Sequence, residues 1–399
     1  MRWALSRVSV LPMNIRYRSV AAAAFIVAVS LIAAACGGSS SSSSPTIAQG
    51  PVVGEILTAE IGPFGVGFRQ ISVTDPAGKR NLDVDVWYPA AKGATGTPAR
   101  YALFPTAYID SKVAVTDAPI APNNELPLVV YAHGSGGTNF IASFLTEQLA
   151  SQGFVVIAAN HTGDTAFDRF TNTTVSQDQN DMNRPADVRL EIDDILARSK
   201  SSGDFFFGKI DANRIGLTGH SYGGYTVIAD VAGHTTPLGT VKPDARVKAI
   251  VAMAPYTLRF TPAELANDKV PTMLLVGTKD VTTPAETNAN VAYDNITGPP
   301  VVLVTMTDAS HQTYTDVCAY LDQIPKLPDA PAVIVEAIKA QAKEGCGTGF
   351  MDYARGLEIT NKLTTAFLLK YVAGVDGYQS YWSNGWGSKQ TDITIKIKK

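Results

Sequence analysis

The chain has 399 residues, 45% of them apolar and 17% charged, a composition that fits a folded globular protein and excludes a disordered one. Its net charge is −3, and residues 1–35 hold four of the 33 basic side chains (Arg2, Arg7, Arg16 and Arg18) and no acid, so loss of that segment takes the balance to −7. A surface of that sign does not suit nucleic-acid binding, and three cysteines exclude both a disulfide-dense scaffold and a four-thiolate zinc site.

Arg16 and Arg18 precede an apolar run from Val20 to Ala35, broken only by Ser30, that ends in Ala33-Ala34-Ala35-Cys36. A basic prefix, a short apolar core and small residues predict a secretory signal over 1–35, too short for a bilayer-spanning helix. Met13 is an alternative start that shortens the basic prefix. Cys36 stands where a bacterial lipoprotein signal puts its lipidated cysteine. Residues 36–60, rich in Gly and Ser, then act as a tether between a lipid anchor and the folded body. A plain secretory signal with a chance cysteine is the other reading. Export to an oxidising envelope would let Cys318 and Cys346 pair, although two buried thiols fit the sequence as well.

Arg69 to Val73 and Leu82 to Trp87 read as an antiparallel hairpin turning at Pro76-Ala77-Gly78. Residues 91–125 read as loop. Leu128 to Ala132 and Phe154 to Ala159 predict buried strands, with a helix from Asn139 to Ser151 between them. A helix over Pro185 to Ser199 follows, then strand Arg214 to Thr218 and helix Tyr222 to Val231. Strands Val247 to Met253, Thr272 to Gly277 and Val301 to Met306 come next, then helices near 331–344 and 358–373. The segment 377–399 has no clear period. Short apolar strands alternating with amphipathic helices predict an α/β domain over 61–376, a mostly parallel sheet covered on both faces.

Strand Arg214 to Thr218 runs into Gly219-His220-Ser221-Tyr222-Gly223-Gly224 and a helix. This is G-x-S-x-G in the strand–turn–helix setting that gives the motif its meaning, and it marks Ser221 as a nucleophile. A serine hydroxyl needs a base. Of the five histidines, His311 leaves the carboxyl end of the last predicted strand, where open sheets gather reactive groups. His133 shapes a loop, His161 follows a strand and lines the pocket, His220 reads as a packed turn residue, and His234 reads as exposed. Asp280 ends the neighbouring strand and serves as the acid that orients His311, with Asp308 as a rival. The loop His133-Gly134-Ser135-Gly136-Gly137 supplies the Ser135 amide, and the elbow the Tyr222 amide, as oxyanion donors. No P-loop ending and no paired metal-ligand spacing is present, so no cofactor or metal is expected.

The elbow, the order Ser221, Asp280, His311, and the stretches Val84 to Pro89, Gly153 to Val156 and Arg184 to Asp187 resemble the α/β-hydrolases of the dienelactone-hydrolase and platelet-activating-factor-acetylhydrolase type. That resemblance implies an α/β-hydrolase fold and a serine esterase. Dienelactone hydrolases carry a Cys nucleophile where this chain has Ser221, so their reaction is not expected. The stretch Leu149 to Val156, the elbow and Ala254-Pro255-Tyr256 are similar to bacterial cutinase-type polyester hydrolases. That similarity implies Tyr256 as a pocket wall, with core packing as its alternative. The expected activity is hydrolysis of short-acyl or phospholipid-like esters. The rivals are a polyester hydrolase and an inactive hydrolase fold serving as a surface binding protein. No obligate protein partner is expected. The segment between Cys318 and Cys346 fits neither resemblance.

Overall fold

The computed structural model describes residues 62–78, 80–104, 107–123, 125–327 and 330–399. The expected signal segment, Cys36 and the linker lie outside the described residues. Among the described residues no helix is long and apolar enough to cross a membrane.

The chain opens with β1 (Gly65–Thr74) and β2 (Asn81–Ala90), an antiparallel hairpin around Pro76 to Gly78. Two further strands, β3 (Pro98–Phe104) and β4 (Ala107–Thr116), occupy the region read as loop. They form the outer edge of the sheet, where half-exposed strands lack the continuous apolar run that marks a central one, and Pro98 sits at a strand start where no ladder donor is needed. The alternating units follow: β5 (Leu126–Ala132), α1 (Ser143–Ser151), β6 (Val155–Ala159), α2 (Ala166–Thr171), α3 (Gln177–Lys200), β7 (Ile210–His220) and α4 (Tyr222–Ala232). A small ribbon of β8 (His234–Thr236) and β9 (Gly239–Val241) precedes β10 (Val247–Met253), α5 (Pro262–Leu265), β11 (Thr272–Gly277), α6 (Ala289–Asn295) and β12 (Val301–Met306). The chain ends with α7 (Val317–Gln323), α8 (Ala332–Ala342), α9 (Tyr353–Tyr371) and β13 (Ile393–Lys398).

Eleven strands form one sheet in the order β13-β12-β11-β10-β7-β5-β6-β2-β1-β4-β3. The six from β12 to β6 are mutually parallel, as the strand–helix alternation predicts. The segment beyond Gly377, which shows no overall period, supplies β13, paired antiparallel with β12. Side chains alternate between two apolar layers. Val129 and Tyr131 pack with α1 and α9, while Leu128 and Val130 pack with α3, α4 and α6.

Helix α3 begins eight residues before the predicted start at Pro185. A proline inside a helix removes one donor and leaves the carbonyl four residues back unpaired. Here that carbonyl, of Asp181, accepts the Tyr225 hydroxyl at 3.0 Å, so the helix runs through.

Candidate active site

Ser221 sits between β7 and α4 at φ 57°, ψ −117°, a conformation that costs a non-glycine residue about 1–3 kcal/mol and clusters at functional sites. Its backbone is pinned on three sides. Its N–H donates to Met253 O at 2.9 Å, and its carbonyl accepts the amides of Tyr225 and Tyr256. The flanking glycines are required by space. A Cβ on Gly219 would stand 2.4 Å from Gly223 O, and one on Gly223 would stand 1.9 Å from Ala132 O. The elbow is therefore wedged against the end of β5.

Ser221, Asp280 and His311 come from the carboxyl ends of β7, β11 and β12, and they meet. Ser221 Oγ lies 2.9 Å from His311 Nε2, and His311 Nδ1 lies 2.9 Å from Asp280 Oδ2. A carboxylate only accepts, so the ring proton rests on Nδ1 and Nε2 is left to accept from the serine. Asp280 is almost wholly buried. Burial opposes its charge, but the hydrogen bond from His311 and the Thr283 donors outweigh it and hold its pKa below 3.8. Its Oδ1 takes the amides of Thr282 and Thr283 at 2.9 and 2.8 Å. The Thr283 hydroxyl stands 2.9 Å from both Asp280 Oδ2 and Ala254 O. The sequence reading did not single out Thr283. Asp308, the rival acid, instead faces Lys279 at 2.9 Å on the surface.

His220 does more than fill a turn. Its ring packs on that of His311, 4.7 Å between centroids, and its Nε2–H donates to the His311 carbonyl at 2.8 Å. Burial, with neighbouring His311, pushes its pKa down to about 3, so it is neutral. His133 is likewise buried, with its pKa driven well down by burial and then by Arg184. It accepts the His161 amide on Nε2 and donates from Nδ1 to Gly134 O at 2.7 Å. His161 does not line the pocket. Its ring is fully buried against Asp187, 3.1 Å away, and Arg80 clamps the same carboxylate. His234 is buried too, not exposed, between the Tyr225 and Phe260 rings with Glu264 at 3.1 Å.

The loop after β5 lies where the strand order reverses direction, the usual place for a ligand crevice. A Cβ on Gly134 would be 3.2 Å from Ser221 Cβ, so this loop abuts the serine. Ser135 and Tyr222 line the same cleft of about 550 Å3 as Ser221. Tyr222 is the first residue of α4, where an amide has no intrahelical acceptor. The Ser135 hydroxyl donates to Asp164 at 2.6 Å, and Asp164 is held by buried Arg184 at 2.7 Å. Arg184 also donates to the His133 carbonyl, so the Arg184 motif acts as a buttress for the loop. Tyr256 lines the cleft, with Gln177 and Asn180 of α3 beside it.

Behind His311 runs a strap. Cys318 and Cys346 are bonded, with S–S 2.06 Å, and close the segment that fits neither resemblance. Glu344 O accepts the Gln312 amide at 2.9 Å, while the Glu344 carboxylate accepts the Thr282 hydroxyl. Met351 N donates to Asp308 O at 2.8 Å, and Lys279 donates to Gly349 O. The strap therefore touches the loops that carry both Asp280 and His311.

A family model described as PETase, PET hydrolase-like, matches residues 127–323. The chain is 29% identical to cutinase est1 of Thermobifida alba over 174 residues, 44% of this chain and 49% of that protein. Cutinase 2 of Thermobifida cellulosilytica is 28% identical over 174 residues, 44% and 55% of the two chains. Platelet-activating factor acetylhydrolase of Cavia porcellus is 20% identical over 301 residues, 67% and 62%. The chain has an α/β-hydrolase fold, with resemblance to cutinases and to platelet-activating factor acetylhydrolase. The matches span about half the length of the curated cutinases. Within the α/β-hydrolase body, the stretch covered by the family model runs from β5 into α7 and includes Ser135, Ser221, Asp280 and His311.

Proposed function

We propose that the chain is an exported serine esterase that hydrolyses carboxylic esters through an acyl-enzyme, with a preference for short-acyl or phospholipid-like substrates. The observation that carries this reading is the continuous relay from Ser221 Oγ through His311 to Asp280. Ser221 Oγ attacks the ester carbonyl as its proton passes to His311 Nε2. The carbonyl oxygen gains the negative charge and is held by the Ser135 and Tyr222 amides, each worth about 2.7–4 kcal/mol of barrier. The tetrahedral centre collapses, and His311 returns the proton to the leaving alcohol. Water then repeats the sequence on the acyl-serine and releases the acid. Asp280 keeps the proton on Nδ1 and stabilises the imidazolium.

Export rests on the basic prefix and apolar run, and anchoring rests on Cys36. Fatty-acid labelling of the full chain against Cys36→Ser tests the anchor. The esterase is tested by p-nitrophenyl acetate turnover and fluorophosphonate labelling, with Ser221→Ala as control. Absence of both in the intact chain refutes it and favours the surface binding protein.

The polyester reading has one observation in its favour beyond the cutinase likeness. Phe167, Phe170 and Val281, 64%, 48% and 77% exposed, neighbour residues that line the cleft. Comparing acetate, octanoate and polymer film separates the two esterases.

A further inference from the structure

Every arginine among the described residues except Arg169 stands in an ion pair with a carboxylate. Arg169 is exposed on α2 and lines the cleft. Its place is fixed all the same. Nη2 donates to Ser135 Oγ at 3.0 Å. Its stem lies across the backbone of Gly136, where a Cβ would come within 2.1 Å of Nε. The guanidinium is thus seated on the loop whose amide faces the reacting carbonyl in the proposed mechanism.

The acids nearby do not cancel it within the cleft. Asp164, which also lines the cleft, is matched by buried Arg184. Asp168 does not line it. Its Oδ2 accepts the amides of Gly163 and Thr165 and the Thr165 hydroxyl, closing the cap of α2. Thr174 and Gln177 also line the cleft, with Gln177 donating to the Tyr256 hydroxyl at 3.3 Å.

We infer that Arg169, seated on the Ser135 loop at the cleft, forms a subsite for an anionic group on the substrate, so that the preferred ester carries a carboxylate or phosphate a few bonds from the scissile carbonyl. This rests on the serine esterase reading and names its substrate class. An anion placed there gains a charge-assisted bond from a guanidinium already held in position. A neutral acyl chain of the same length leaves the guanidinium to water.

The test compares kcat/KM for matched pairs on the full chain. p-Nitrophenyl hemiglutarate against p-nitrophenyl valerate puts a carboxylate on the acyl side. 4-Acetoxyphenyl phosphate against phenyl acetate puts a phosphate on the alcohol side. The inference expects the anionic member of at least one pair to be favoured, with that ratio falling about tenfold in Arg169→Gln, less in Arg169→Lys, and falling with added salt in the wild type. The pair that responds identifies the source of the anion. Ratios at or below one in both pairs, or a ratio that Arg169→Gln leaves unchanged, overturn the subsite while neutral turnover leaves the esterase standing. Loss of turnover on all four esters, with no labelling of Ser221 by fluorophosphonate, overturns the esterase and the subsite together.

Discussion

Replacing Asp280 with Asn tests the proposed chemistry at its least substitutable point. Asp280 Oδ1 takes two backbone amides, so the amide oxygen of Asn must occupy that position, since an NH2 there would face two donors. The NH2 then falls at the Oδ2 position, opposite His311 Nδ1 and the Thr283 hydroxyl. Thr283 accommodates this, because it can give its proton to Ala254 O. His311 cannot. It must turn Nδ1 into an acceptor, which moves the ring proton to Nε2, and a protonated Nε2 has no lone pair for the Ser221 proton. The expected loss in kcat is about 10⁴-fold, or about 5.4 kcal/mol of barrier, the cost of the wrong tautomer in a well-placed relay. The fold survives, with a melting temperature lowered by only a few degrees. Stopped or continuous hydrolysis of p-nitrophenyl butyrate reads the rate, and thermal melting reads the fold. Asp308→Asn is the control. It breaks only a half-exposed pair with Lys279, worth about 0–1 kcal/mol, and the rate should hold within twofold or so. A D280N enzyme within tenfold of wild type, or a D308N enzyme that loses the larger share, would refute the assignment of the acid.

Three further outcomes can be measured. Cys318→Ser with Cys346→Ser opens a loop of separation 28 and should cost roughly 3–4 kcal/mol of stability in the chain-entropy model; if the strap positions the Asp280 and His311 loops, kcat falls well below the melting temperature too, and an unchanged kcat there makes the bridge purely structural. His220→Ala removes the donor to the His311 carbonyl and should lower kcat about tenfold, whereas His220→Gln, which can still donate, should recover part of it; equal rates for the two variants would discount that bond. Asp316 is fully buried, accepts the Ser143 hydroxyl at 2.6 Å, and is pushed up to about 7 chiefly by burial. The native state therefore binds a proton that the unfolded state releases near 3.8, so this residue's contribution is full below 3.8 and is lost as pH rises through 7. Asp316→Asn should gain on wild type across that window and hold a constant lead above it, as denaturant melts at pH 4, 6 and 8 would show; a lead that shrinks with rising pH contradicts the sign.

The parallel strands were legible because both their faces are buried. Thr272–Gly277 and Val301–Met306 read as closed apolar runs, and the structure gives them the predicted ends. The elbow was legible for a steric reason, since only glycines fit against β5. Edge strands were not. β4 mixes Asp110, Ser111 and Lys112 into its pattern, and β13, although it alternates Ile with Thr and Lys, is six residues long and follows an irregular stretch. Neither has a local signal strong enough to separate it from loop. Each is a strand because a neighbour elsewhere in the chain offers it a ladder.

The same reason explains what was missed around the cleft. Sequence placed His161 at a strand end, which is correct, but the ring's direction is decided by Asp187 and Arg80, neither of which adjoins it in the chain. Pro185 argued for a helix start, and the argument fails only because Tyr225, on another helix, satisfies the carbonyl that the proline abandons. That failure hid the first two turns of α3, and with them Gln177 and Asn180 on the cleft wall. Helix α2 was hidden by its brevity, although its capping box of Thr165 and Asp168 is a local signal that was available. The candidate relay could be read because each of its members follows the carboxyl end of a strand that the sequence marks. The cleft wall could not, because nothing about a single polar residue says which other polar residues have already taken its neighbours. Arg169 becomes distinctive only after every other described arginine has been matched with an acid, and that matching exists only in the folded chain.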